Sequence, residues 1–241
     1  MTLRSTAEDV ANLALDHTPI ICVDTCSILD LQRGLVRDDI NVPARTEALK
    51  LVEDVEAGRV ISVVTRQIEW EFNANRPVAV ASAVSGLTKL FELVTKAEAV
   101  AEVFAPLTTR ADLSHLVAHN DHARDLVDRW WSASRWIDER DELKVRAADR
   151  VNLALAPAKP GKQSYKDCLI TETYLDLIET VRKAGSTSQI VFLSSNIEDY
   201  AVAKNDHGIH AGLIDDFRRL GVTYATNPGQ ARRDMGFVGG V

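Results

Sequence analysis

Asp24, Glu71, Asp167, Asn196 and Asp199 are the side chains whose types and surroundings could do chemistry. Asp24 follows Ile20-Ile21-Cys22-Val23, an apolar run without alternation, which predicts a strand buried on both faces of a parallel sheet. A carboxylate at the C-terminal edge of such a sheet faces the crevice where α/β proteins bind ligands. It can serve there as a metal ligand, a nucleophile or a helix cap. Glu71 lies early in a helix after a second apolar run, Val60 to Val64, with Glu69 as its close competitor. Asp167 opens a helix after the loop Ala156 to Gln163, and Asn196 and Asp199 follow a third strand, Gln189 to Leu193. Parallel strands deliver all their C-terminal ends to one edge, so acids far apart in sequence can share one pocket. Carboxylates held that close repel one another unless a cation intervenes, and a set of oxygen donors suits magnesium or manganese rather than zinc.

The elements that must position these groups are legible in outline. Thr6 to Leu15 predicts a short helix capped by Ser5 or Thr6, and Asn41 to Ala57 a second, closed by Gly58. Thr65 caps a helix expected to stop before Pro77. From Val78 to Ala156 the chain is helical in character, with Ala99 to Phe104 its only strand-like stretch and the longest helix expected from Asp112 to Arg140. Lys166 to Ala184 is amphipathic and ends at Gly185. A short helix is expected from Ile197, another from Ala211 to Leu220, and an edge strand at Val222 to Ala225. The fold class is α/β: a central parallel sheet of about four or five strands flanked by helices. A single domain over 1–241 is expected, with 78–156 as a helical insertion and 227–241 as a loose tail.

Bulk properties narrow the function. A net charge of −7 argues against a protein that coats nucleic acid by bulk electrostatics, although an enzyme needs only a local basic rim. No apolar run is read as reaching the roughly 18 residues of a membrane span, and the N-terminal stretch lacks the pattern of a signal peptide. Three cysteines, Cys22, Cys26 and Cys168, have no zinc-type spacing, and a reducing cytoplasm is the expected setting.

At this point the sequence resembles a PIN domain, a metal-dependent nuclease family that includes toxin ribonucleases and RNA-processing factors. Four blocks carry the resemblance in order. These are ICVDTCSILDL with Asp24 and a further acid at Asp30, TRQIEWEFNANR with Glu71, KDCLI with Asp167, and FLSSNIEDYA with Ser195, Asn196 and Asp199. The resemblance implies a PIN-like fold and an endoribonuclease hydrolysing RNA phosphodiester bonds with water activated by Mg2+ or Mn2+, in a toxin or defence setting. Asp24, Glu71, Asp167 and Asp199 would be catalytic and, with Asn196, would hold the metal. Thr25 and Ser195, each next to a ligand, would hydrogen-bond the ligating carboxylates. Arg66, Arg76, Lys159, Lys162 and Lys166 flank the acids and are expected to grip the phosphate backbone. RNA is then the expected substrate; an inhibitor protein and a homodimer stay open as partners, and no membrane is expected. The insertion is longer than in minimal toxins, and Asn196 stands where Asp is also common, which weakens a second metal site.

Other readings carry less. A phosphatase-like enzyme with Asp24 as nucleophile wants a second Asp two residues on, where Cys26 stands. A catalytically weak PIN-like module that binds RNA or protein is the alternative. His115, His119 and His122 could share one helical face, but no Glu follows the first His as in the zinc protease motif, so a solvated face is expected. Trp130, Trp131 and Trp136, next to Leu126, Val127 and Ile137, read as packing rather than base stacking.

Overall fold

The computed structural model describes residues 3–34, 42–159, 161–162, 164–203 and 206–237. The expected helix start Asn41, the loop residues Pro160 and Gln163, and the end of the tail at 238–241 lie outside them. In chain order the elements are β1 (Leu3–Arg4), α1 (Ala7–Leu13), β2 (Ile20–Val23), α2 (Thr25–Leu29), α3 (Val42–Glu56), β3 (Ile61–Thr65), α4 (Arg66–Glu102), α5 (His119–Ala133) and β4 (Arg135–Ile137). There follow α6 (Asp141–Asn152), α7 (Tyr165–Lys183), β5 (Ile190–Leu193), α8 (Ile197–Tyr200), β6 (Ala201–Ala203), β7 (Asp206–Ile209), α9 (Ala211–Leu220), β8 (Val222–Ala225) and α10 (Pro228–Asp234).

Six of these strands form one sheet in the order β1-β4-β3-β2-β5-β8, and every pairing is parallel. The central strand β2 holds Ile20 against Ile61 of β3 on one side and Ile190 of β5 on the other. All four of its side chains are fully buried, as its unbroken apolar run requires. Burial of that kind contributes about 1.5–3 kcal/mol for each large aliphatic side chain, which makes β2 the anchor of the sheet. Thr6 caps α1 through a reciprocal pair of bonds with Asp9, and Gly58 and Gly185 follow α3 and α7 at φ +70 and +90, where a side chain would be strained.

The expected parallel α/β sheet is present, and it takes in two pieces too short to show a β-branched run: β4 has three residues and β1 two. Other expectations need correction. Region 78–156 is not a purely helical insertion, because β4 lies inside it and joins β3. Ala99 to Phe104 is not a strand but the end of α4 and its exit.

The helix after Thr65 does not stop at Pro77; α4 continues to Glu102. Its core face, Ile68, Phe72, Ala79, Ala83 and Leu87, runs on across the proline, which sits on the exposed side. By length and composition alone α4 would also suffice to cross a membrane, against the sequence reading.

The expected longest helix is cut short. His115 belongs to a separate 3-10 turn, Ser114–Leu116, and α5 begins only at His119, so the three histidines do not share one helix.

Finally, the tail is not loose from Asn227: Asn227 caps α10, whose Arg232 is buried and binds Asp54 and Glu47 of α3. Polar and Gly-rich composition hid a helix held by these ion pairs and by the burial of Ala231, with Met235 just beyond its end. The tryptophans pack as expected. Trp130 is buried and donates to Ser62 Oγ at 3.0 Å, and Trp131 stacks on Phe72 at 4.0 Å with Trp136 edge-on.

Candidate active site

Asp24 ends β2 and caps α2. Its backbone is still extended and its N–H still bonds Leu193 O of β5, so the side chain emerges at the C-terminal edge of the sheet. It is only 3% exposed. One carboxylate oxygen accepts the Thr25 N–H at 2.8 Å and the other accepts the Ser194 hydroxyl at 2.7 Å. Burial pushes its pKa up to about 6, and the charge of Glu71 adds to the rise, against the lowering effect of those bonds.

Glu71 arrives from α4, whose N-terminus is set by Thr65 and by Glu139, which accepts the Gln67 N–H at 2.7 Å. Its two oxygens are held by two neutral donors, Thr25 Oγ1 at 3.1 Å and the Gln67 amide at 3.0 Å. Glu69, two residues earlier and so on another side of the helix, faces Arg4 instead. Asp167 stands in the first turn of α7. Two turns further on, the buried Tyr174 hydroxyl donates to Val23 O at 2.7 Å and lies 2.9 Å from Val63 O, which pins α7 across the ends of β2 and β3. Burial raises the Asp167 pKa to about 7, followed by the charges of Asp24, Asp199 and Glu71.

Asn196 and Asp199 come from the turn after β5. The Asn196 N–H donates to Ser194 Oγ, and its amide nitrogen donates to Asp199 at 2.9 Å. The other Asp199 oxygen pairs with Lys159 Nζ at 2.9 Å. Burial pushes Asp199 upward, but the Lys159 and Asn196 bonds and the charges of Lys159 and Lys162 outweigh it and hold this acid below the ordinary carboxylate range.

Acids from four separate segments are thus near enough to act on one another's protons. Beside them a cleft of about 670 Å³ opens along Thr25, Cys26, Leu29, Arg33, Glu71 and Asn75. Among the described residues no three His, Cys, Asp or Glu side chains close into a ready-made metal cage. The carboxylates are bonded by Ser194, Thr25, Gln67 and Lys159. The donor set still fits a hard divalent cation. It is all oxygen, and burial together with neighbouring carboxylate charge raises the pKa of both Asp24 and Asp167, a setting in which a cation would favour their ionised forms.

The remaining expected residues divide. Thr25 donates its hydroxyl to Glu71, one of the carboxylates it is expected to contact. For Ser195 the expected contact belongs to Ser194, one residue earlier; the Ser195 N–H binds Ser27 Oγ instead. Successive side chains alternate faces, so a shift of one residue moves the hydroxyl to the other side. Asp30 pairs with Arg33 rather than joining the acids. Arg76 pairs with Asp128 at 2.6 Å, and Arg66, its side chain largely exposed, lies 3.5 Å from Asp138. Lys162 and Lys166 are exposed; Lys162 is near enough to Asp199 for its charge to act on it, and Lys166 precedes Asp167 in the first turn of α7.

Sequence reasoning missed Gln67, Ser194 and Glu139. Gln67 stands four residues before Glu71, a spacing that places both on one helical face, so a signal existed for it. Glu139 follows the unread strand β4, and nothing marked it.

A family model described as PIN domain matches residues 21–200 of the chain. No curated protein and no solved structure gives a significant match.

Proposed function

Because the chain belongs to the PIN domain family, which is nuclease-type and typically uses divalent metals, we propose that it is a Mg2+- or Mn2+-dependent endoribonuclease. One observation supports this reading above the others: Asp167, from a distant part of the chain, lies near enough to Asp24, Glu71 and Asp199 that their charges add to burial in raising its hold on a proton. Asp24, Asp167 and Glu71 would hold the cation. When bound, it offsets charge on the phosphodiester and makes water acidic enough to attack phosphorus near neutral pH.

The chain's own residues supply the orientation. Ser194 and the Thr25 N–H fix both oxygens of Asp24, while Thr25 Oγ1 and Gln67 fix those of Glu71. Lys162 and Lys166 offer ammonium groups to the substrate backbone, and the cleft beside Glu71 gives the strand a place to lie. In this reading the substrate is RNA, the setting is a toxin or defence effector in the cytoplasm, and an inhibitor protein and a second copy of the chain are the natural partners to look for.

The test is cleavage of end-labelled single-stranded RNA and DNA by the purified full chain. RNA should be cut with Mg2+ or Mn2+ and left whole with chelator, and Asp24→Asn and Asp167→Asn should each lose the activity. Cleavage that survives chelation or either substitution would sink the assignment. RNA binding without any cleavage would favour a catalytically weak module instead.

A further inference from the structure

The four acids of the pocket are not equivalent. Asp24 meets a main-chain N–H and a serine hydroxyl, and Glu71 meets a threonine hydroxyl and an amide, so both are held by neutral donors. Asp199 alone is held by a cation. Lys159 Nζ lies 2.9 Å from one of its oxygens, and the Asn196 amide nitrogen lies 2.9 Å from the other. Lys159 is itself anchored, since its ammonium also donates to the Glu198 carbonyl. Ion pair and anchor are both half-buried, with side-chain exposures of 32% for Lys159 and 20% for Asp199, where an ion pair is screened less than on open surface.

We propose that Lys159 is a resident cation of the acidic pocket, standing in for a second divalent ion, so that the chain binds a single divalent ion through Asp24, Asp167 and Glu71. This deepens the nuclease reading and rests on it. The charge count supports it. One ammonium neutralises one of four carboxylates, and a single divalent ion then leaves the pocket with one net negative charge. A second divalent ion beside the ammonium would reverse the sign, and to reach Asp199 itself an ion would have to displace that anchored ammonium. Asn196 presents its amide nitrogen to Asp199, which further turns that end of the pocket away from metal binding. An ammonium fixed beside the acids can also meet a phosphate oxygen, which is part of what a second metal ion contributes in two-metal sites.

The test counts bound Mn2+ per chain on the full-length protein by equilibrium dialysis with elemental analysis, and by electron paramagnetic resonance, with no substrate present. Wild type should bind one Mn2+, Lys159→Met two, and Lys159→Arg, which keeps the charge, one. Two ions on wild type, or one on Lys159→Met, would overturn the role of Lys159 while leaving metal-dependent cleavage intact. No Mn2+ on wild type would overturn the metal reading itself, and this inference with it. Loss of the single wild-type ion in Asp24→Asn is the expected control.

Discussion

Asp167→Asn should make the metal-free chain more stable at neutral pH, not less. Burial, and then the charges of Asp24, Asp199 and Glu71, push Asp167 up to about 7 from an ordinary 3.8. An acid whose pKa is raised by folding binds more protons in the folded state than in the unfolded one between those two values. The folded chain therefore loses stability as pH rises from about 4 through 7, and the full penalty is present above 7. Keeping Asp167 ionised at pH 8 costs up to roughly 4 kcal/mol at about 1.4 kcal/mol per pH unit. Part of that repulsion is shared with Asp24, and the half-exposed pocket screens some of it, so an expected gain of about 2 kcal/mol for Asp167→Asn is more realistic. At roughly 2–4 °C per kcal/mol for a chain of this size, the melting temperature should rise by about 6 °C. The assay is scanning calorimetry in chelator across pH. The advantage should fall to about 1 kcal/mol or less at pH 5 and nearly vanish at pH 4. Added Mg2+ should raise the melting temperature of wild type and not of the variant. An Asp167→Asn protein that melts below wild type at pH 8, or whose advantage does not depend on pH, would refute the reasoning.

Other perturbations follow from the same contacts. Gln67→Ala takes the donor from one Glu71 oxygen and should slow single-turnover RNA cleavage by about tenfold, while costing only about 1 kcal/mol in urea unfolding. Arg232→Met takes one of two cationic partners from the buried Asp54, which keeps Arg59, and from Glu47, which keeps Lys50, and should lower stability by about 1–2 kcal/mol, read from the denaturation midpoint. Pro77→Ala restores a main-chain N–H inside α4 and should raise stability by at least about 1 kcal/mol, seen as a higher melting temperature with cleavage unchanged.

How much could be read in advance depended on where the physics was local. The runs ending at Val23, Val64 and Leu193 are buried on both faces, and unbroken β-branched residues announce that burial directly. Asp24, Glu71, Asp167 and Asp199 were legible because each sits at a fixed offset from such a run or from a helix start. The strand β4 was not, since three residues carry no periodicity and its pairing with β1 and β3 exists only once the sheet has formed. With β4 unread, Glu139 had no context. Pro77 misled because a helix can carry a proline when its buried face continues beyond it, and that face is a tertiary fact. Ser194 and Ser195 could not be separated without knowing which of two alternating positions points at Asp24. Lys159 was found for its charge, but its partner Asp199 comes from a turn 40 residues later, and no local pattern joins them.

The most direct test of the central claim is an anomalous difference map from crystals of the full chain soaked in Mn2+. The expected peak touches the carboxylates of Asp24 and Asp167, with Glu71 beside it and Lys159 still on Asp199. A well-soaked crystal with no peak at these acids, or with its manganese bound elsewhere on the chain, would contradict it.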